Sequence, residues 1–288
     1  MNTTKRHRFK IGKFLCVALA DGEAEYGFDK LSQRFSAVPE ATIKAGLRDM
    51  GANPEENRSF YNTLLIDTGS KLILVDGGER SDRHATAGYT RAALAEIGVQ
   101  PGAIDEIIIT HAHGDHVVGL FEPDDQTLTY PNATYWINRV EWAYWTAKES
   151  PASSAMAHWL VLLKPKINLF EIGNDLFPGI QPIAAYGHTP GHTTFLIESE
   201  GESLFHAVDL VHHPAQFPNP DWSIKFDTDP RQAVKIRFAL FNQLAAENRL
   251  TFFFHMPFPG LGRVQRGGKE YKWVAEGLDG RDHQTESH

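Results

Sequence analysis

Imidazole and carboxylate side chains are concentrated in one run of this 288-residue chain, the sequence THAHGDH at residues 110–116. His111 and His113 are two apart in an extended segment, so both can project to one side, while Asp115 and His116 come from the turn that follows. A catalytic zinc usually takes three protein ligands and keeps one position for water, so four converging ligands favour two adjacent ions. The run therefore predicts a hydrolytic site with two metals.

The missing ligands of such a site are expected at the ends of other strands. Three candidates each follow an apolar stretch: His188 in the sequence GHTPGH, Asp209 and His255. The seven residues offer only nitrogen and oxygen atoms. By ligand type the two divalent ions are expected to be Zn²⁺, and Mn²⁺, Fe²⁺ or Co²⁺ accept the same set.

Composition limits the classes of function. The formal net charge is −8, whereas nucleic-acid-binding surfaces collect Lys and Arg, so we expect no nucleic-acid partner. Cys16 is the one cysteine, which excludes an intramolecular disulfide and a thiolate-rich metal site. No stretch reaches the roughly 18 uninterrupted apolar residues of a membrane-spanning helix, so we expect no membrane partner.

The N-terminal region allows two interpretations. Basic residues 5–8 precede the apolar stretch 14–20, an order that resembles a secretory signal. Lys13 interrupts the apolar section and leaves it at the lower edge of the usual length, which favours a first β-strand entering a turn at Asp21-Gly22. A cytoplasmic location is therefore favoured over a secreted or periplasmic one.

The elements that must position the candidate ligands follow from apolar runs and turn residues. Residues 62–75 predict a hairpin, and further strands are predicted at 104–109, 133–137, 181–186, 193–198, 203–208 and 250–254. Helices are predicted at 85–97, 139–148 and 153–163, and another from Pro230 to about residue 248 with Asp229 as its N-cap. This order favours an α/β fold with two similar halves, each a sheet covered by helices on its outer face.

Length and apolar content favour one domain. A chain with 42% hydrophobic residues can bury a sizeable core, and α/β folds of this length often form a single domain. We expect one domain over residues 1–278. The polar stretch 279–288 is predicted to be a disordered tail.

The order of the motifs resembles the metallo-β-lactamase superfamily. The pattern His-x-His-x-Asp-His, then Gly-His-Thr-Pro-Gly-His, then Asp and His lies within residues 60–276. The resemblance implies a four-layer αβ/βα sandwich. It implies one ion on His111, His113 and His188, a second on Asp115, His116 and His255, and Asp209 as the bridge. Two divalent ions against two carboxylates leave a net charge of +2, which suits a hydroxide held between metals about 3.5–4 Å apart.

Asp209 distinguishes this chain from several branches of that family. The cysteine-containing β-lactamases have a thiolate at this place, and another β-lactamase subclass lacks a bridging carboxylate. Lactonases, glyoxalase II-like thioesterases and phosphotriesterases remain. The segments 209–212, 216–220, 226–230 and 255–260 are similar to the methyl parathion hydrolase branch. Many acyl-homoserine lactonases have a tyrosine three residues after the bridging aspartate, where this chain has His212.

The resulting hypothesis is a metal-dependent hydrolase of ester-like bonds. The bridging hydroxide would attack a lactone carbonyl or the phosphorus of an organophosphate triester, with Asp115, Asp209 and His212 as catalytic residues. The lack of an obvious basic anchor predicts a small neutral substrate, and the resemblance suggests a homodimer. Four aromatic residues are candidates for an apolar pocket or for core packing: Trp145, Phe217, Trp222 and Phe258.

Other activities stay open on the sequence. A glyoxalase II-like thioesterase would need basic residues for the glutathione carboxylates, and a β-lactamase-type amide hydrolase is a further alternative. A di-iron site beside a flavin domain would replace one histidine of the first motif by a carboxylate, which this chain does not do. The basic candidates for a thioesterase are Arg263, Arg266, Lys269 and Lys272.

Five more polar residues are candidates for supporting roles around the ligands. His192 is interpreted as a supporting or packing residue rather than a ligand. At least one of His206, His212 and His213 is expected to be a surface imidazole. Asp76 either orients a ligand histidine or only ends its strand.

Overall fold

Two β-sheets form the centre of the fold in a computed structural model that describes residues 5–147, 156–268 and 270–276. The first sheet has seven strands, which are hydrogen-bonded in chain order. They are β1 (Arg6–Ile11), β2 (Phe14–Tyr26), β3 (Asn57–Asp67), β4 (Leu72–Val75), β5 (Glu106–Ile109), β6 (Thr134–Asn138) and β7 (Ile167–Phe170).

The second sheet has six strands. They are β8 (Ile180–Ala184), β9 (Thr193–Ser199), β10 (Glu202–Val208), β11 (Leu250–Phe253), β12 (Leu261–Gly267) and β13 (Glu270–Ala275). Their order in the sheet is β13-β12-β11-β10-β9-β8. Because β9 is antiparallel to both β8 and β10, and β10 is parallel to β11, the strands β8, β10 and β11 end at the same edge.

Seven α-helices are found among the described residues. They are α1 (Phe28–Arg34), α2 (Glu40–Asp49), α3 (Thr90–Glu96), α4 (Gly114–Val117), α5 (Arg139–Thr146), α6 (Met156–Leu163) and α7 (Pro230–Glu247). None of these described helices is long and apolar enough to cross a membrane.

Three hydrophobic clusters define the layers. Leu64 and Ile66 of β3 lie in the cluster between the sheets, whereas Leu65 lies in the cluster on the outer face of the first sheet, as the two-residue period of a strand requires. That outer cluster includes residues of α3, α5 and α6. A third cluster joins the outer face of the second sheet to α7, for example through Phe253 and Phe241. The order helix, sheet, sheet, helix confirms the predicted αβ/βα sandwich.

Several predicted elements are confirmed. The hairpin over residues 62–75 is the antiparallel pair β3 and β4. The side chain of Asp229 accepts a hydrogen bond from the main chain of Gln232 at 3.0 Å, so it is the N-cap of α7, and Asn248 ends that helix in the left-handed conformation. The helix predicted at 85–97 begins only at Thr90. The predicted tail, residue 148 and residues 153–155 lie outside the described part of the chain.

The turn predicted at Asp21-Gly22 is wrong. The strand β2 continues through these residues, and its register with β3 shifts between Ala20 and Gly22, which is a β-bulge. Asp21 is fully buried there and accepts hydrogen bonds from the main chain of Glu79 and of Thr90. Local sequence favours a turn at Asp-Gly, but these distant donors favour the bulge.

Several elements without a clear apolar run were not predicted. The strands β1, β7, β12 and β13 and the helices α1 and α2 are absent from the expected elements. The helices α1 and α2 pack together in a separate hydrophobic cluster with Trp222 and Ile224.

Replacing Asp229 by Ala should reduce the free energy of unfolding by about 1 kcal/mol, because the first turn of α7 loses its capping acceptor. Urea unfolding followed by circular dichroism measures this change. Asp175→Ala is the matched control, since Asp175 is exposed and its side chain makes no hydrogen bond among the described residues. Equal midpoints for the two variants would contradict the capping role.

Candidate metal centre

Seven side chains from four loops meet at one end of the two sheets. The loop after β5 carries four of them, the loop between β8 and β9 carries one, and the loops after β10 and β11 carry one each. Five are buried, and His113 and Asp115 are partly exposed. The seven are the residues that the sequence predicted as ligands: His111, His113, Asp115, His116, His188, Asp209 and His255.

The candidate ligand atoms fall into two sets, and within each set the atoms lie within 4.8 Å of one another. Both sets combine imidazole nitrogens with carboxylate oxygens, and their membership matches the division that the family resemblance implied. One set is His111, His113, His188 and Asp209, and the other is Asp115, His116 and His255. A third group of possible ligands overlaps them and adds His212 to Asp209 and His255.

Asp209 lies between the two sets. Its Oδ2 is 3.5 Å from Nε2 of His111 and 3.3 Å from Nε2 of His188, and its Oδ1 is 3.2 Å from Nε2 of His116. The preceding residue, Val208, has a φ of +50°, which is strained for a β-branched side chain, and the register of β10 with β11 shifts there. This local distortion accompanies the contact of one carboxylate with both sets.

Hydrogen bonds on the far side of the rings fix the imidazoles. Nδ1 of His116 lies 2.8 Å from Oδ2 of Asp76, and Nδ1 of His188 lies 2.9 Å from Oδ1 of Asp227. Nδ1 of His255 donates to a main-chain carbonyl of β3 at 2.8 Å. Each of these bonds leaves Nε2 facing the cluster, as in metal-binding histidines whose other nitrogen is held by an acceptor.

Asp76 fulfils both of the roles that the sequence left open. It follows β4 directly, and its carboxylate accepts the main-chain N–H and the hydroxyl of Thr110, each at 2.9 Å. The same carboxylate holds the ring of His116. Asp76 therefore ends its strand and also orients a candidate ligand.

The cluster contains buried atoms that have no hydrogen-bond partner among the described residues. They are Nε2 of His116, Nε2 of His188 and Oδ1 of Asp209. A buried polar atom without a partner costs about 1–3 kcal/mol. Divalent cations would satisfy these atoms, and an all-nitrogen-and-oxygen donor set is one that such ions accept. The residues present therefore fit divalent metal ions.

The histidines of the cluster differ in their electrostatics. Burial and the neighbouring imidazoles hold the pKa of His111 and His113 well below the usual range, which favours their neutral form. Burial opposes charge on His188, but the carboxylates of Asp209 and Asp227 raise its pKa to about 9. Protons and metal ions compete for such ligand atoms.

Glu141 of α5, which sequence reasoning missed, joins two of the ligand-bearing loops. Its Oε1 accepts the main-chain N–H of Ala112 at 2.9 Å and the indole N–H of Trp145 at 2.6 Å. Its Oε2 accepts the hydroxyl of Thr189 at 2.7 Å and the main-chain N–H of Gly191 at 2.8 Å. Burial raises the pKa of Glu141, and these four donors oppose that shift. The one signal in the sequence is a carboxylate in an aromatic-rich helix.

The remaining histidines have different environments. Nε2 of His212 lies 3.1 Å from Oδ2 of Asp209, so His212 belongs to the cluster. His192 donates to a main-chain carbonyl and accepts the main-chain N–H of Asp209, which agrees with a supporting role. The rings of His206 and His213 bond to nearby main-chain N–H groups. The prediction that at least one of these residues is a surface imidazole is wrong, because His206, His212 and His213 are all buried.

A pocket of about 320 Å³ opens over the cluster. The residues of β3 that line it, Ser59 and Tyr61, alternate along the strand and therefore face one side. That alternation is visible in the sequence, but it does not say which face meets the site. Six lining residues were not predicted: Arg34, Ser59, Tyr61, Glu79, His84 and Phe226.

None of the four aromatic candidates lines this pocket. Phe217 and Trp222 belong to buried hydrophobic clusters, which confirms core packing for them. Trp145 is also buried, and its ring centroid lies 5.8 Å from that of His113. Phe258 lines a separate surface cavity.

A basic side chain is present in the pocket after all, because Arg34 lines it. The prediction of a neutral substrate was based on the lack of a basic anchor. The presence of Arg34 in the pocket removes that basis. The basic residues considered for a thioesterase do not help here. Lys269 lies outside the described residues, and the others lie outside the pocket. The three that are described, none of which lines the pocket, are Arg263, Arg266 and Lys272.

The sequence matches the metallo-beta-lactamase superfamily over residues 57–255, which is more than half of the chain. The protein belongs to the metallo-β-lactamase superfamily, and its two-sheet α/β sandwich is the fold of that family. The matched region contains all seven candidate ligands.

Solved structures of two hydrolases are similar along nearly the whole chain. AidC, a dizinc quorum-quenching lactonase in complex with a product, has a TM-score of 0.90 and 27% identity, covering 96% of this chain and 99% of that chain. The hydrolase AbOPH of the beta lactamase superfamily has a TM-score of 0.84 and 27% identity, with the same coverage.

Curated relatives match over shorter stretches. An N-acyl homoserine lactonase from a Bacillus species is 25% identical over 165 residues, which are 56% of this chain and 60% of that protein. The chain spans between 19% and 61% of the length of the curated relatives it matches. These matches are consistent with membership of the family. The activities in the names of these relatives describe those proteins.

Replacing Glu141 by Gln should weaken the affinity for divalent ions by about 10-fold or more, because one of its two pairs of donors would face an amide NH₂ group. Chelator competition on the purified protein measures this affinity independently of turnover. Glu171→Gln is the matched control, since Glu171 is an exposed carboxylate that pairs with Arg139. Unchanged affinity in a folded Glu141→Gln variant would show that the two loops do not need this clamp.

Proposed function

We propose that the protein is a dinuclear metal-dependent hydrolase of ester-like bonds, acting on a lactone or an organophosphate triester. The observation that carries this proposal is the meeting of seven nitrogen and oxygen ligands in two sets below a pocket. The similarity to a dizinc lactonase at a TM-score of 0.90 supports both the reaction class and zinc as the metal.

The proposed metal ligands are the seven side chains of the cluster. His111, His113 and His188 would hold one ion, and Asp115, His116 and His255 would hold the other, with Asp209 shared. Bound there, divalent ions supply a Lewis acid for the substrate oxygen and lower the pKa of water.

The chain's own residues define where the reaction takes place. Asp209 and Asp115 contribute the two carboxylates, and Oδ2 of Asp115 lies 3.4 Å from Nε2 of His255 at the partly exposed side of the cluster. His212 presents Nε2 to the cluster, and its main-chain N–H donates to Oε1 of Gln216 at 2.7 Å, which fixes its position. The proposed role of this imidazole, next to Asp209, is to donate a hydrogen bond to a substrate oxygen that gains negative charge.

The pocket suits a small molecule that is mainly apolar. Phe226 is 47% exposed and Tyr61 presents an aromatic ring next to His255, at 5.6 Å between ring centroids. With about 320 Å³, the pocket is at the small end of ligand sites. An ester or lactone can place its reacting carbonyl over the cluster and its remaining part against these aromatic walls.

The metal-loaded protein should hydrolyse acyl-homoserine lactones or aryl phosphotriesters faster than β-lactams or S-lactoylglutathione. Asp209→Ala should lose more than about 100-fold of this activity, because the carboxylate shared by both sets is removed. A parallel rate screen measures turnover, and metal analysis before and after chelation gives the ions bound per chain. A single bound ion at saturation, or full turnover by Asp209→Ala, would refute the dinuclear proposal.

His212→Gln should lower kcat by about 10- to 100-fold with little change in bound metal, because a donor to the reacting oxygen is lost while the seven ligands stay. Steady-state kinetics and metal content together measure this. The control is His213→Asn, which can keep the cap on the main chain of Ala215 and lies outside the cluster. Loss of metal from His212→Gln would assign His212 a ligand role instead.

A further inference from the structure

Arg34 is a fixed cation in the wall of the site pocket. It is the last residue of α1, and its guanidinium lies over the ring of Tyr26 at 4.3 Å from the ring centroid. Nη1 donates to the hydroxyl of Ser59 and, at 3.4 Å, to that of Tyr26. The main-chain carbonyl of Arg34 accepts the N–H of Lys225 at 2.8 Å. The main chain of Arg34, one face of its guanidinium and Nη1 are therefore each fixed by a contact.

The remaining donors of Arg34 have no acceptor among the residues that the structure describes. Nε and Nη2 make no hydrogen bond with the described residues, and no carboxylate of the described residues lies within 4.0 Å of the guanidinium. Two other arginines, by contrast, are paired with carboxylates. Arg58 on β3 pairs with Glu23 and Glu25, and Arg80 pairs with two aspartates. The charge of Arg34 is thus available to a molecule in the pocket.

The position of Arg34 separates it from the reacting centre. The pocket has candidate metal ligands such as His188 and His255 on one side, and Arg34, Ser59 and Phe226 among its other lining residues. Arg34 lies more than 4.0 Å from every described carboxylate, including Asp115 and Asp209. Because Arg34 makes no ion pair with the carboxylates of the cluster and no hydrogen bond to a candidate ligand, we assign it to a part of the substrate other than the reacting bond.

The chemistry of the available donors selects the group that they bind. Nε and Nη2 lie on one edge of the planar guanidinium, and such an edge matches the two oxygens of a carboxylate in a bidentate pair. A hydrogen bond between charged partners is roughly twice as strong as one between neutral groups, so a carboxylate is favoured over an amide or ester carbonyl.

We propose that Arg34 anchors a carboxylate on the non-reacting part of the substrate, so that among esters and lactones this enzyme prefers those that carry an acidic group. This inference rests on the proposed hydrolase function and names its substrate class. It replaces the neutral substrate that the sequence suggested.

Two 4-nitrophenyl esters test the anchor: the neutral butyrate ester and the half-ester of glutarate, which carries a carboxylate at the end of the acyl chain. The metal-loaded wild-type enzyme should prefer the glutarate half-ester in kcat/KM. Arg34→Gln should lower kcat/KM for the half-ester by about 10- to 100-fold, mainly through KM, because a remote anchor binds ground state and transition state alike. The butyrate ester should change by less than about threefold.

Two further variants keep the test specific. Arg34→Lys should fall between wild type and Arg34→Gln, because it keeps the charge but loses the bidentate edge. Arg58→Gln removes a positive charge from β3 outside the pocket and should leave the ratio of the two substrates unchanged. Metal content equal to wild type in each variant shows that the cluster is intact.

The outcomes distinguish the anchor from the hydrolase function. Equal losses on both esters, or a wild type that prefers the butyrate ester, would overturn the anchor and leave the hydrolase proposal standing. No turnover of either ester or of the lactone panel by the metal-loaded wild type would overturn the hydrolase proposal and this inference together.

Discussion

The convergence of lone pairs around the buried carboxylate of Asp209 is the constraint on which the rest of the site depends. Burial would raise the pKa of Asp209, yet the surrounding imidazoles, first that of His255, hold it well below the usual range. Nitrogen and oxygen atoms that approach this closely without enough protons are stable only when positive charge lies between them. The fold therefore assembles a site whose stability is coupled to a cation.

Buried carboxylates outside the cluster hold the loops that bring these atoms together. Asp76 and Asp227 each fix one imidazole ring, while Glu141 accepts four donors from α5 and the two loops on either side of it. Asp21 accepts main-chain N–H groups of Glu79 and Thr90 and so holds the segment that begins after β4. In each case the cost of burying the carboxylate is offset by main-chain or side-chain donors that would otherwise be unpaired.

The candidate ligands and the rest of the pocket lining come from different parts of the chain. The candidate ligands follow strands of both sheets, whereas most of the other lining residues belong to α1, β3, the segment after β4 and the segment before α7. Arg34 and Phe226 belong to this second group. Members of the family can thus keep one metal site and change their substrates through the segments around it, which fits the general separation of scaffold and recognition loops.

Much of the fold could be predicted from the sequence because its signals are local. The hairpin over residues 62–75 and the cap at Asp229 each depend on a few neighbouring residues, and both are confirmed. The bulge at Asp21 could not be predicted, since its acceptors are paired with donors from about 60 residues away.

The sequence by itself determined the types and order of the candidate ligands, since His-x-His-x-Asp-His and the later His, Asp and His are readable without coordinates. Only the tertiary structure decided that Asp209 contacts both sets, that Glu141 joins two loops and that Arg34 enters the pocket. The physical reason is distance along the chain: these contacts join residues whose separation no local periodicity encodes, and only the packing of the two sheets and α1 brings them together.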